Sequence, residues 1–150
     1  MYFSIIIPTF DNFRYLENCI NSIIKNSAFK HEIIVHINGS CSLSENFLIK
    51  KNIQYTKSPK NIGLCSAVNI ASKKTKHNLI LYSHDDMYFL PGWDNEFINQ
   101  INDIGHNKFY LSSTHISAHV SNKGKVEHIV FDAGDNIDNF NEKKLLDNYN

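Results

Sequence analysis

Along the chain, short apolar runs alternate with amphipathic segments, the rhythm of strands and helices in turn. Phe3 to Ile7 is a near-continuous apolar run rich in β-branched residues, the pattern of a central parallel strand, and Pro8 is expected to stop it. Thr9-Phe10-Asp11-Asn12 follows with side chains suited to helix capping, and Leu16, Cys19, Ile20, Ile23 and Ile24 then recur at helical spacing to about Asn26. Glu32 to Ile37 predicts a second strand, which makes a βαβ unit with a right-handed crossover. Asn38-Gly39-Ser40 turns the chain, Ser42 to Lys51 predicts a short helix with Phe47 and Leu48 inward, and a brief strand is expected around Ile53-Gln54-Tyr55. Lys57 to Gly63 is a loop by composition, and Leu64 to Lys74 predicts a helix with Leu64, Ala67, Val68 and Ala71 on one side.

Leu79 to Tyr82 predicts a strand buried on both faces, and it runs abruptly into Ser83-His84-Asp85-Asp86. A helix is expected from about Trp93 to Ile104, with Trp93, Phe97, Ile98, Ile101 and Ile104 as its apolar stripe and Gly105 as its end. Phe109-Tyr110-Leu111 and Val126 to Phe131 predict further strands, the second entered through an Asn122-Lys123-Gly124 turn, and weak helical character returns from Glu142 to Leu146. This alternation implies an α/β fold: a mainly parallel, Rossmann-like sheet with helices on both faces. Such sheets bind ligands beyond the carboxyl ends of their strands, where the strand order reverses. If the first strand and the Leu79 strand are neighbours at that reversal, Thr9-Phe10-Asp11 and Asp85-Asp86 converge on one crevice. The loop Lys60-Asn61-Ile62-Gly63 can then bring a lysine and backbone donors to the same place.

The acidic pair changes the picture from architecture to chemistry. Two carboxylates about 5 Å apart repel by roughly 3 kcal/mol at an effective dielectric near 20, so keeping both ionised needs solvent, hydrogen bonds or a cation. Mg²⁺ and Mn²⁺ suit such oxygen ligands and commonly share them with substrate phosphates. An extended backbone here would send His84 and Asp86 to one side and Asp85 to the other. Acidic pairs at strand ends also solvate loops or cap helices, so the pair alone does not decide the matter.

Composition narrows the partners. At 150 residues and 42% hydrophobic content the chain reads as a single domain, and 15 basic against 15 acidic residues leave no global field to draw it to nucleic acid or an anionic membrane. The three cysteines, Cys19, Cys41 and Cys65, lack metal-ligand spacing and read as reduced thiols. No signal peptide and no transmembrane segment is evident, and the expected location is cytoplasmic or peripheral at a membrane surface. His115 and His119 stand four apart, with His128 beyond, but Ser112-Ser113-Thr114 and Val120-Ser121 do not look helical, so the spacing does not make a zinc site.

Three pieces in order now carry a resemblance: Ser4-Ile5-Ile6-Ile7-Pro8-Thr9-Phe10, Asn61-x-Gly63-x-x-x-Ala67-x-Asn69, and His84-Asp85-Asp86 followed by Pro91-Gly92-Trp93. Together they resemble the nucleotide-sugar-dependent glycosyltransferases of the GT-A fold, family 2, over roughly Phe3 to Gly105. The resemblance implies a nucleotide diphosphate-sugar donor bound by residues 1–105, a partial acceptor-side part in 106–150, and an acceptor that is a glycan, a lipid-linked molecule or a protein. It implies Mn²⁺ or Mg²⁺ held by Asp86, with Asp85 on the ribose or sugar. It also implies substrate contacts by Pro8, Thr9, Phe10, Asp11, Asn38, Lys60, Asn61, Gly63 and Asn69, with His84 supporting the site. The metal would act as a Lewis acid on the leaving diphosphate while a carboxylate deprotonates the acceptor hydroxyl, with inversion.

The chain departs from the family pattern in two places. Isoleucine stands at Ile37, in the run His36-Ile37-Asn38-Gly39-Ser40, where the family carries a nucleoside-contacting acid. No Glu-Asp pair follows Asp86, so Asp132 and Asp135 are the available candidates for the base, each also explained by turn formation. Two readings from other classes stay open. One is a non-catalytic or truncated nucleotide-sugar-binding module. The other is an unrelated doubly wound domain such as a phosphoacceptor receiver, whose acids would follow the first strand, where this chain has a single Asp11.

Overall fold

The computed structural model describes residues 1–119 and 129–148. The expected Asn122-Lys123-Gly124 turn, the first residues of the strand expected over Val126 to Phe131, Val120, Ser121 and His128 lie outside them. The chain divides into two compact units, Met1–Asp103 and Ile104–Asn150.

In the first unit the strands are β1 (Phe3–Thr9), β2 (Glu32–Asn38), β3 (Gln54–Ser58) and β4 (Leu79–Tyr82), and the helices are α1 (Phe13–Asn26), α2 (Ser42–Lys51), α3 (Leu64–Ser72) and α4 (Trp93–Ile104). All four strands are parallel in the order β3-β2-β1-β4. The chain therefore winds one way from β1 to β3 and then returns to the other side of β1, so the strand order reverses between β1 and β4. That is the neighbour relationship on which a shared crevice depends.

Strand alternation sorts the core. Ile6 and Ile34 point to one face, where Ala71 of α3 closes over them with Val68 alongside. Alanines at the contact let the helix approach the sheet closely. Phe3, Ile5 and Ile7 point to the other face, where Phe3 meets Trp93 and Phe97 of α4 at ring-centroid distances of 5.9 and 6.3 Å. Trp93 also donates its indole N–H to Ser27 Oγ just past α1, and Phe13 of α1 packs on Phe47 of α2. Helices thus cover both faces, as the alternating pattern predicts. Fully burying one such isoleucine stabilises the fold by about 1.5–3 kcal/mol.

Asp94, at the start of α4, is fully buried and accepts hydrogen bonds from the backbone N–H groups of Ala28 and Phe29 and from His31 Nε2. His31 Nδ1 accepts the N–H of Phe3, so the proton lies on Nε2 and the imidazole is neutral. Burial holds the His31 pKa below its ordinary value despite the neighbouring carboxylate. The contact is a hydrogen bond from a neutral ring that ties the α1–β2 corner, β1 and α4 together.

Five sequence expectations are corrected. β1 runs through Pro8 to Thr9. The Ile6 carbonyl accepts from Ser83 N–H on the β4 side, so Pro8, two residues on, faces that same side after β4 has ended, and its missing N–H costs no ladder bond. β4 is an edge strand rather than one buried on both faces, with Ile80 and Tyr82 exposed. α1 leaves Ile24 in solvent, and α3 leaves Leu64 there. Phe109-Tyr110-Leu111 forms no strand, and Tyr110 is 94% exposed.

Among its described residues the second unit holds two short parallel strands, β5 (Ile116–Ser117) and β6 (Ile129–Val130), and one helix, α5 (Glu142–Asp147). Asn141 caps α5 by accepting the N–H of Lys144, and Ala133 and Leu145 are buried. Gly134 (φ +108°) lies so close to Asn139 that a Cβ would stand 2.5 Å from its carbonyl oxygen. No helix among the described residues is long and apolar enough to cross a membrane.

Candidate active site

The site begins where β1 and β4 end side by side. Thr9, the last residue of β1, donates its hydroxyl to Asp85 Oδ2 at 2.6 Å, and Asn12 Nδ2 donates to Oδ1 at 3.1 Å. Asn12 occupies the N-cap of α1, yet its side chain caps nothing and reaches the acid instead. The sequence reading of Asn12 as a capping residue is corrected accordingly. Desolvation raises the Asp85 pKa, and the adjacent Asp86 charge adds to it. The bonds from Thr9 and Asn12 pull it back down without cancelling the rise.

Asp85 and Asp86 lie in a turn, because β4 stops at Tyr82. The strict alternation expected for an extended backbone therefore does not apply. The two acids separate by environment instead: Asp85 is half-buried with both oxygens engaged, whereas Asp86 is exposed. One exposed carboxylate suits Mg²⁺ or Mn²⁺ when a diphosphate and water complete the shell. Among the described residues no group of three or more His, Cys, Asp and Glu side chains is arranged to hold a metal by itself. His84 turns back along β4, its Nε2 lying 3.1 Å from the Tyr82 hydroxyl.

Beside this turn lies a cleft of about 260 Å³ lined by Phe10, Asp11, Ile37 to Cys41, and Pro59 to Asn61. Thr9, Phe10 and Asp11 are consecutive, so the turn that anchors Asp85 also forms one wall of the cleft. Phe10 is largely exposed, and its ring approaches the place a Cβ would occupy at Gly39 (φ +134°) to 3.3 Å, close enough that only glycine seats it comfortably. Asp11 has φ 52°, a left-handed conformation that aspartate tolerates better than most residues. Ile37, only 2% exposed, supplies an apolar floor where a family acid was expected.

Asn38 and Asn61 are engaged with each other and with the loop. Asn38 Nδ2 donates to Asn61 Oδ1 at 3.0 Å, Asn38 Oδ1 accepts the N–H of Ile62 at 2.8 Å, and Asn61 Oδ1 also accepts the N–H of Gly63 at 2.9 Å. Gly63 (φ +83°) is the N-cap of α3. Asn69 stands exposed on α3 and does not line the cleft. The structure thus brings together Thr9, Phe10, Asp11, Asn38, Lys60, Asn61 and the acidic turn, with Pro8 buried in β1 behind them.

The two aspartates considered as bases lie in the second unit. Asp132 accepts the N–H of Gly134, and Asp135 Oδ1 accepts from the amides of Asn136 and Asn139. The Asn139 bond, foremost, holds the Asp135 pKa below its ordinary value, which weakens it as a proton acceptor. Sequence reasoning missed Asn12, Ser40, Cys41 and Pro59 as site residues. For Asn12 and Pro59 the signal was positional, since they adjoin Asp11 and Lys60, while Ser40 and Cys41 lie two and three residues beyond Asn38 in the same turn.

The family model for glycosyl transferase family 2 matches residues 4–149. No curated protein matches the chain. Among solved structures, the crystal structure of S. aureus TarS 1-349 superposes with a TM-score of 0.64 at 21% identity, over 85% of this chain and 39% of that one. The same protein in complex with UDP-GlcNAc gives 0.64 and 21% over 85% and 37%, and in complex with UDP 0.64 and 21% over 85% and 38%. The chain therefore spans about two fifths of the TarS chain it resembles, and the likeness is one of fold. With a family match over nearly its whole length, the chain belongs to glycosyl transferase family 2.

Proposed function

We propose that this chain binds a nucleotide diphosphate-sugar across the carboxyl ends of β2, β1 and β4 and serves its transfer, with inversion, to an acceptor hydroxyl on a glycan, lipid-linked molecule or protein. The hydrogen bond from Thr9 to Asp85 carries the reading, because it ties the acidic turn to the end of β1, whose next residues, Phe10 and Asp11, line the cleft. The TarS structures in complex with UDP-GlcNAc and with UDP support a nucleotide-sugar as the donor class.

In this reading Phe10 and Ile37 flank the nucleoside, Asp11 and Lys60 offer charge at the rim, and Asn38 and Asn61 shape the wall that Gly63 continues into α3. Asp85 receives a ribose or sugar hydroxyl, and Asp86 holds Mn²⁺ or Mg²⁺. The bound metal would supply neutralisation of the charge gathering on the leaving diphosphate. The acceptor oxygen forms its bond to the anomeric carbon as the bond to the diphosphate breaks, and a carboxylate takes the hydroxyl proton. His84, leaning on Tyr82, braces the acidic turn.

A second reading, a nucleotide-sugar-binding module with little transfer of its own, is favoured by the turn-bound state of Asp132 and Asp135. Mixing the chain with UDP-GlcNAc, Mn²⁺ and a broad acceptor panel separates the two. The first reading expects binding followed by metal-dependent glycoside formation, and the second expects binding with slow or absent transfer. Rapid glycoside formation abolished by Asp132→Asn or Asp135→Asn would favour the full enzyme, and no binding of any nucleoside diphosphate would overturn both.

A further inference from the structure

β2 places an imidazole where its neighbours are aliphatic. His36 follows Ile33-Ile34-Val35, is fully buried on the α3 side of the sheet, and stands in register between Pro8 of β1 and Thr56 of β3. A buried polar ring costs stability unless both its nitrogens are satisfied. Here both are: Nδ1 lies 2.8 Å from Thr56 Oγ1 and Nε2 lies 3.3 Å from Ser58 Oγ.

The protons in this chain can be assigned. Ser58 Oγ is 2.8 Å from the carbonyl oxygen of Lys60 and 3.4 Å from Asn38 Oδ1, both of which can only accept, so the hydroxyl donates to this pair and the shorter contact is to Lys60. A hydroxyl has one proton, so toward His36 Ser58 can only accept, and Nε2 carries the imidazole hydrogen. Nδ1 is then an acceptor, filled by the Thr56 hydroxyl. The result is a one-way chain from Thr56 through His36 and Ser58 to the Lys60 carbonyl.

A second arm runs in parallel, since Asn38 holds the Ile62 N–H and, through Asn61, the Gly63 N–H. Main-chain groups of Lys60, Ile62 and Gly63 are thereby fixed from the floor of the sheet, and Pro59, Lys60 and Asn61 form one wall of the cleft. An aliphatic side chain at position 36 would fill comparable space without a polar cost, so what the imidazole adds is the position of that wall.

We infer that His36 is a positioning residue for the nucleoside cleft, acting through Ser58 on the Lys60 carbonyl and touching no substrate itself. The inference rests on the reading of the cleft as the nucleoside site. A wall held before the ligand arrives spares the cost of ordering it on binding.

The test is the affinity for UDP, measured by calorimetry with Mn²⁺ present, in wild type, Ser58→Ala, His36→Leu and His36→Gln. Ser58→Ala cuts the chain without removing core volume. It is expected to weaken UDP binding about tenfold, roughly what one fixing hydrogen bond is worth, while the melting temperature moves by only a few degrees. His36→Leu should weaken binding similarly, and His36→Gln, whose amide can donate to Ser58 and accept from Thr56, should restore most of it. Unchanged affinity in Ser58→Ala overturns the inference, and so does an equal loss in His36→Gln and His36→Leu. If His36→Leu fails to fold, Ser58→Ala decides alone. Absence of UDP binding by the wild type would overturn the cleft assignment itself, a distinct result.

Discussion

Thr9 and Asp85 are 76 positions apart in sequence, and the Thr9 hydroxyl donates to the Asp85 carboxylate at 2.6 Å. The bond exists because β1 and β4 are parallel neighbours in register from Phe3 with Leu79 to Ile6 with Tyr82, so both chains leave the sheet at one end. Thr9→Val keeps the shape and removes the donor from a half-buried carboxylate. It is expected to cost about 1–2 kcal/mol of stability and to weaken nucleoside diphosphate binding several-fold. Urea unfolding and calorimetry on the same preparation check both effects, and a variant with unchanged binding would separate the acidic turn from the cleft.

Asp85 itself is held at a cost. Its folded-state pKa is raised by desolvation, so relative to the unfolded chain it contributes stability only below the ordinary carboxylate pKa and opposes folding once both states are ionised at neutral pH. Asp85→Asn should therefore melt a few degrees higher at neutral pH, Asn12 turning its amide to match, while donor use collapses. A lower melting temperature would show that the hydrogen bonds outweigh the desolvation.

The buried histidines set the response to acid. Burial depresses His31 and His36 below the ordinary value of 6.5, so the unfolded chain takes up protons first as the pH falls. Stability is fully present above pH 6.5 and declines as acidification proceeds below it. Asp85 acts in the opposite sense, but within the carboxylate range, so the histidines govern mild acidification. The urea midpoint should drop between about pH 7.5 and pH 5.5, and His36→Gln should flatten part of that drop.

Ile37 predicts weak base selectivity. The floor of the cleft is apolar at this position, and such surfaces discriminate less than sites built on polar contacts. UDP, CDP and GDP should bind within about tenfold of one another, a spread of roughly 1.4 kcal/mol, and Ile37→Asp should widen the differences. A strong preference for one base in the wild type would place the selection elsewhere, with Asp11 the nearest acid.

The sequence carried much of the architecture because its apolar runs alternate with polar turns: β2, α1, α2 and α4 lie close to where the pattern predicts them, and β1 differs only in running past Pro8 to Thr9. Convergence of Thr9 with Asp85 was legible only as a condition on strand order, which periodicity does not state. Burial of short apolar runs was less legible. Leu79 to Tyr82 has the composition of a central strand, but its neighbours on one side decide exposure, and among the described residues β4 has a partner on one edge only. Side chains of equal chemistry also hid different roles. Asn12 looks like a cap and serves an acid, while Asn38 and Asn61, which line the cleft, also brace a loop. His36 carried a signal, a lone polar residue in a buried run, but its partners Thr56 and Ser58 come from β3 and become visible only in the register.

In the proposed function a nucleoside diphosphate binds across the β1–β4 switch point through a cation held by Asp86. Calorimetric titration of UDP into the chain with Mn²⁺, with chelator, and into Asp86→Ala with its fold verified by circular dichroism tests it most directly. Clear binding is expected with Mn²⁺, with loss of most of that affinity both in chelator and in Asp86→Ala. Equal affinity under all three conditions would contradict it.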